Sequence, residues 1–482
     1  MENIKENIEN SKNGKKKKED LLSYIRNGNH MTKSQQLKLV TRLSIPAIMA
    51  QITSIIMQYI DASMVGNLGA EQSASIGLVA TTTWLFGSVC ISAVSGFSVQ
   101  VAQFIGAGKY DKAKSVLRQS IIVILAISLL LSVSGILISG FLPRWLGGEE
   151  VLYRDASRYF LIFACSLPAM SLSCLAGSML QCSGNMKVPS ILNAMMCFLD
   201  VIFNALLIFP EHNVKFLSWN IYIPGAGMGV GGASLGTAIA ETVVAVLMMY
   251  FLCVRSRELH ISLKESFKLE WSCQKKAAEI ALPIAFEHIV VNGAMIASTR
   301  IVAPLGTISI AANSFAVTAE SICYMPGYGI GDAATTLVGQ SIGAGRKKLV
   351  RHFARMTTFF GMAVMTCTGI LMFFASPIMI SILTPDLGVQ ELGTKMLKIE
   401  AFAEPMYAAS IVASGALRGA GDTFIPSLMN FFSLWVVRIP LAYFLSKRFG
   451  LSGVWIAMCI ELIFRGTIFL IRLFREKWIK RV

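Results

Sequence analysis

Two carboxylates sit where a carboxylate is costly. Asp61 lies in the apolar stretch MQYIDASMVG (Met57 to Gly66), and Asp200 lies in NAMMCFLDVIFN (Asn193 to Asn204). An acid at the middle of a membrane span costs about 2.5–3.5 kcal/mol on insertion scales, so it persists mainly where it faces a cavity or has a task. Both acids have polar company at helical spacing. Gln51, Ser54, Gln58 and Asp61 follow at intervals of three, four and three. Asn193, Asp200 and Asn204 follow at seven and four. Each set falls on one helix face. A lipid-facing stripe of this kind is unfavourable, so both are expected to face the bundle interior. Desolvation and a neighbouring acid favour a protonated carboxyl in general. Such a carboxyl takes a proton from one side and releases it when its surroundings change. Ionised, it attracts a cation. Proton and cation then compete for one site, which is the chemistry of exchange. Asp61, Asp200, Gln58, Asn193 and Asn204 are therefore the candidate proton or cation coupling residues.

The second half of the chain offers other candidates. Glu320 lies mid-span in VTAESICYMPGYG, and Glu404 lies mid-span in AFAEPMYAA. Methionine is flexible and polarizable and suits surfaces that accept several ligands; aromatic faces attract organic cations. Glu320, Glu404, Gln51, Tyr324, Met57 and Met64 are candidate substrate or ion contacts. Arg300, Arg438 and Arg465 are expected to be buried partners of these acids. Glu287, Asp332, Glu241 and Glu461 receive no role. Pro326 and Gly327 interrupt the eighth span, and Pro168 and Pro405 fall inside the fourth and tenth. Proline removes a helix hydrogen bond and bends the helix, so these four are candidate hinges.

Catalytic and metal chemistry lack support. The run PGAGMGVGG (Pro224 to Gly232) imitates a dinucleotide loop, but it opens a membrane helix and not a strand-to-helix turn. No Walker motif, GxSxG or HExxH occurs, and the ten Cys show no CxxC spacing. No enzyme activity, metal or cofactor is expected. The basic residues lack the aromatic interleaving of a nucleic-acid surface.

These side chains must be carried by membrane helices. Of 482 residues, 54% are hydrophobic and only 15% charged, too apolar for an ordinary soluble protein. Ser120 to Leu142 holds no charge, and a span needs about 20 residues. Twelve spans are expected, near 41–66, 74–104, 113–142, 152–181, 188–210, 229–254, 278–303, 309–341, 350–383, 390–417, 425–445 and 451–472. Lys and Arg gather in the N-terminal tail, in Lys109 to Arg118, Lys187, Arg255 to Lys276, Arg346 to Arg355 and Arg418, and from Arg472 onward. These segments share one side if the spans alternate. Basic loops stay cytoplasmic, so both termini are expected inside. Residues 1–40, with the Lys15 to Lys18 run, read as a disordered basic tail.

The chain is written twice. QFIGAGK (Gln103 to Lys109) returns as QSIGAGR (Gln340 to Arg346), 237 residues on. The same offset pairs Pro46 with Pro283, Pro168 with Pro405, Ser190 with Ser427 and Asn193 with Asn430. The last span of each half realigns at 220, Glu241 with Glu461. Six spans per half give both halves the same orientation, a parallel repeat. The expected fold is thus an all-α polytopic membrane protein of twelve transmembrane helices in two six-helix lobes. Residues 41–254 form the first lobe, 255–277 a cytoplasmic linker, 278–475 the second lobe and 476–482 a cytoplasmic end. The repeat preserves prolines and glycines yet drops both acids: Asp61 corresponds to Ser298 and Asp200 to Val437.

LSIPAIMAQ, DASMVGNLGA, QFIGAGK, CSGNMKVPS, QSIGAGR, SGALRGAGDT and GLSGVWIAMCIE together resemble the multidrug and toxic compound extrusion (MATE) family, closest in pattern to its DinF-like branch. The resemblance implies a monomeric plasma-membrane antiporter that expels organic cations and amphipathic compounds in exchange for protons or sodium. It also implies that acids on spans one and five form the proton site, which falls on Asp61 and Asp200. Here Asp200 precedes Asn204, the reverse of the common family order. Sodium-coupled relatives use acids on spans seven and ten. Glu404 stands about one turn from that position and Glu287 near the inner end, so protons are favoured over sodium. The alternatives are a lipid-linked oligosaccharide flippase of the same superfamily shape and, from another class, a membrane-embedded enzyme.

Overall fold

The computed structural model describes residues 21–216, 219–261 and 269–479. Helix dominates because, in an apolar surrounding, a helix pairs its backbone N–H and C=O groups within its own segment. The first half contains α1 (Lys33–Gly66), α2 (Ala70–Gly106), α3 (Tyr110–Ile138), α4 (Tyr153–Cys182), α5 (Lys187–Ile208) and α6 (Val230–Tyr250). The second contains α7 (Trp271–Val302), α8 (Thr307–Gly343), α9 (Lys347–Leu383), a broken α10 (Leu387–Glu400 and Glu404–Gly419), α11 and α12 (Leu451–Arg475). Helix α11 comprises Phe424–Phe431, a π-helical Phe432–Arg438 and Ile439–Phe449. Ten of these are long and apolar enough to cross a bilayer. The other two are α8, which carries Glu320 and Asp332, and α10, which is split. The architecture is the expected twelve-span, two-lobed repeat.

Four boundaries differ from expectation. The disordered tail does not extend to residue 40: Leu21–Arg26 is a short helix with Leu21, Leu22 and Ile25 buried, and α1 begins at Lys33. Apolar side chains at the end of a polar segment find a crevice to fill. Lys15 to Lys18 lie outside the described residues. The linker is shorter than 255–277, because α7 starts at Trp271; residues 262–268 lie outside the described residues. The loop after α5 pairs as an antiparallel hairpin, β1 (Pro210–Phe216) with β2 (Trp219–Ala226). Pro326 and Gly327 do not interrupt α8, which runs unbroken through them; Gly327 instead packs closely against Met365 of α9.

The lobes meet in a pseudo-symmetric way. Helix α1 packs on α8 of the other half, and α7 packs on α2. At the end carrying the basic loops, the duplicated motif becomes a contact. The Gln340 amide Nε2 donates to the Cys182 carbonyl (2.7 Å), and the Gln103 Nε2 donates to the Gly419 carbonyl (3.3 Å). The offset of 237 relates both donors and both acceptors. Gly106 lies against the Gln340 backbone, and Gly343 lies against the Gln103 backbone. A Cβ at either glycine would strike main chain, so only glycine permits this crossing. A buried cluster at the same end draws on both halves, with Leu39 and Leu43 of α1 beside Leu337, Phe353 and Leu21.

Candidate functional site

Asn204 joins the two opening carboxylates. Its Nδ2 donates to Asp61 Oδ1 at 2.9 Å and to Asp200 Oδ2 at 3.0 Å. Asp200 and Asn204 stand one turn apart on α5, which puts them on one face, and α1 packs alongside to present Asp61. Asp200 is fully buried and Asn204 nearly so, while Asp61 is half-buried. The amide's two N–H groups each serve one carboxyl. Asp200 Oδ1 and Asn204 Oδ1 have no hydrogen-bond partner among the described residues. Gly236 of α6 lies against the Asn204 side chain, and a Cβ there would displace the amide oxygen.

The two polar stripes do not act as units. Asn193 is half-buried, about 10 Å along α5 from Asp200 by helical rise, and is not bonded to the pair. Gln58 is exposed one turn before Asp61 and is not bonded to it. Ser54 bonds within its own helix to the Ala50 carbonyl. Gln51 instead reaches across the lobe boundary, donating to Asp332 Oδ2 of α8 at 3.4 Å. Tyr59 also ties α1 to α8, through the Thr318 carbonyl at 2.7 Å. Met57 is half-buried, and Met64 packs on Val65, Ile208 and Ala233. Pro168 sits inside a continuous α4, whereas α10 breaks at Ala401 to Ala403, just before Pro405.

The second lobe holds a denser set of charges. Glu287 of α7 accepts from Asn430 Nδ2 (2.8 Å) and Ser427 Oγ (3.2 Å) of α11. Glu287 and Asn430 border a cavity of about 70 Å³ with Asp332, Tyr407 and Arg418. Deeper in the lobe, Glu320, Glu400, Glu404 and Glu461 are all buried. Glu461 pairs with Arg465 at 3.0 Å and accepts from Ser433. The Arg465 guanidinium lies 5.3 Å from the Tyr407 ring centroid. Tyr324 packs against Tyr407 and Tyr328, with centroids 5.4 and 6.0 Å apart. The carboxylates of Glu400 and Glu404 have no hydrogen-bond partner among the described residues. Arg465 partners an acid as expected. Arg438 donates to the Met458 sulfur and its charge acts on Glu320 and Glu400, whereas Arg300 is exposed at the end of α7, so the expectation of a buried partner is corrected for Arg300. Sequence reasoning missed Glu400, which ends the first half of a helix whose break it could not see. It also missed Gly236.

No cluster of three or more metal-ligating side chains occurs among the described residues. A twelve-helix, two-lobed membrane protein built on a parallel repeat has an architecture that transporters share. The MatE family profile matches residues 46–206 and 283–444, one stretch in each half. The chain belongs to the MatE family, which is a family of transporters and not of enzymes. It is 28% identical over 457 residues to the probable multidrug resistance protein NorM of Thermotoga maritima, covering 92% of this chain and 93% of the relative. Its fold matches an outward-facing multidrug resistance MATE family transporter of the MOP superfamily with a TM-score of 0.85 at 19% identity, covering 94% of this chain and 100% of the other. It also matches the bent form of the Vibrio cholerae MATE transporter VcmN with a TM-score of 0.82 at 17% identity, covering 93% and 98%.

Proposed function

We propose that the protein is a multidrug efflux antiporter that expels organic cations and amphipathic drugs in exchange for inward protons, by rocking-type alternating access. The observation that carries this reading is the Asp61–Asn204–Asp200 bridge in the first lobe alone. The multidrug resistance proteins among its relatives support the cargo class.

The residues suggest how exchange works. Two carboxyls held by one amide in a low-dielectric site repel each other when both are charged. One proton removes that repulsion. Its departure leaves a carboxylate able to attract a cationic drug, so occupation by either excludes the other. Helix α1 carries Asp61 and is also tied to α8 through Gln51 and Tyr59. A change of proton occupancy at Asp61 is thereby felt across the lobe boundary. Rocking toward the side of the basic loops must break the Gln103 and Gln340 contacts. On this reading the protein works as a monomer in the plasma membrane, with both termini cytoplasmic.

Reconstituted vesicles with pH and sodium gradients imposed separately test it. Dye export driven by the proton gradient, and lost in Asp61→Asn, is the expected result. Export driven only by sodium would overturn proton coupling and direct attention to the second-lobe acids. Loss of dye export under both gradients would overturn efflux itself.

A further inference from the structure

We propose that the groove between the first turn of α1 and the second to fourth turns of α9 is a binding site for an anionic phospholipid of the leaflet on the basic-loop side. The groove has a volume of about 470 Å³, within the usual range of about 300–1,000 Å³ for small-ligand pockets. It joins the two halves of the chain, with Lys33 and Leu37 from one and His352, Arg355 and Phe359 from the other.

Its chemistry is layered as a lipid's is. Lys33, His352 and Arg355 form a basic rim, with Glu476 as the acid that pairs with Arg355 at 2.9 Å and with the neighbouring Arg351 at 2.8 Å. The Arg355 guanidinium is further held 5.0 Å over the Phe474 ring. Lys33 and His352 are exposed and have no ion-pair partner among the described residues. Helix α1 begins at this end, so its N-terminal dipole adds to the positive charge of Lys33 in its first turn. One turn deeper on α1 and up to two turns deeper on α9, the wall becomes apolar, with Leu37 and Phe359 both exposed. That distance, about 6–10 Å by helical rise, is the step from phosphate to upper acyl chain.

A second observation points to a ligand. Gln36 lines the groove and is 5% exposed. Its Nε2 donates to the Met31 carbonyl at 3.1 Å, but its Oε1 is buried with no hydrogen-bond partner. A buried amide oxygen is rarely left unpaired. Once the Gln36 amide turns toward the groove, a headgroup hydroxyl, as in phosphatidylglycerol, supplies the missing donor beside a phosphate held by Lys33 and His352. The groove straddles both lobes, so a lipid seated there bears on their relative motion.

Native mass spectrometry of the purified full chain, exchanged against phosphatidylglycerol or phosphatidylcholine, tests the site. The wild type is expected to retain phosphatidylglycerol in preference to phosphatidylcholine. Lys33→Gln with His352→Gln is expected to reduce that preference by at least about fivefold, the worth of the lysine charge removed, and Lys33→Arg to keep it. Phe359→Asn, which keeps the charges, is expected to weaken retention as well. Unchanged retention in the double variant, with normal thermal melting, would overturn the proposal. So would displacement of the lipid by excess inorganic phosphate with no dependence on acyl chains, which would mark a free-phosphate site. The readout is lipid retention and stands apart from the drug or ion carried.

Discussion

The amide of Asn204 is the centre of the first-lobe site, because among the described residues it is the group that bonds both acids. Asn204→Leu would leave the buried Asp200 and the half-buried Asp61 without that donor. A loss of about 1–3 kcal/mol of stability is expected, read as a lower melting temperature in detergent, together with loss of proton-driven export. Asp61→Asn keeps the shape and a hydrogen-bonding group while removing the charge. It is expected to melt like the wild type yet to show drug-induced proton flux at background. Wild-type flux in that variant would remove Asp61 from the coupling site. Helical spacing made the Asp200 and Asn204 pair legible, since residues four apart share a face. The same spacing overreached for Gln58, Asn193 and Gln51. A stripe fixes a direction around one helix, but neighbouring helices decide how far along it a partner arrives. Asp332 of α8 meets Gln51, and nothing among the described residues bonds Asn193.

Between elements, the repeated Gln103 and Gln340 deserve a mechanical reading. Each donates to the last turn of a helix in the opposite lobe, and each lies beside a glycine-permitted crossing. Gln340→Leu is expected to loosen this end and raise the alkylation rate of the buried Cys182 by about fivefold, the equivalent of one net hydrogen bond of about 1 kcal/mol. Gln103→Leu is expected to do less, since its bond is longer and its side chain only half-buried. Peptide mapping of labelled Cys182 reads both, and an unchanged rate in Gln340→Leu would argue that apolar packing alone holds the closed end. The duplicated QFIGAGK and QSIGAGR were visible as a repeat, but their meeting was not. Residues 237 apart come together only because the two halves pack about a pseudo-two-fold relation. The break in α10 was also hidden, because Pro405 alone does not say whether a helix bends or stops.

For the whole molecule, the distribution of Lys and Arg predicts that a fluorescent protein fused to the C-terminus stays cytoplasmic and bright. A fusion found outside would invert the topology and with it the direction of the proposed exchange. By itself the sequence determined the membrane class, the twelve spans, the internal repeat and the presence of acids in one half that the other lacks. Those properties are local or compositional: a run of apolar side chains has one low-energy fate in a bilayer, and a repeat declares itself by its offset. Tertiary structure alone decided which polar groups meet. It set Asn204 between Asp61 and Asp200, sent Gln51 to Asp332, and left Glu400 and Glu404 buried without hydrogen-bond partners among the described residues. Hydrogen bonds and charge pairs act over a few ångströms. Which groups come that close is settled by how twelve helices pack, and no spacing within one helix contains that information.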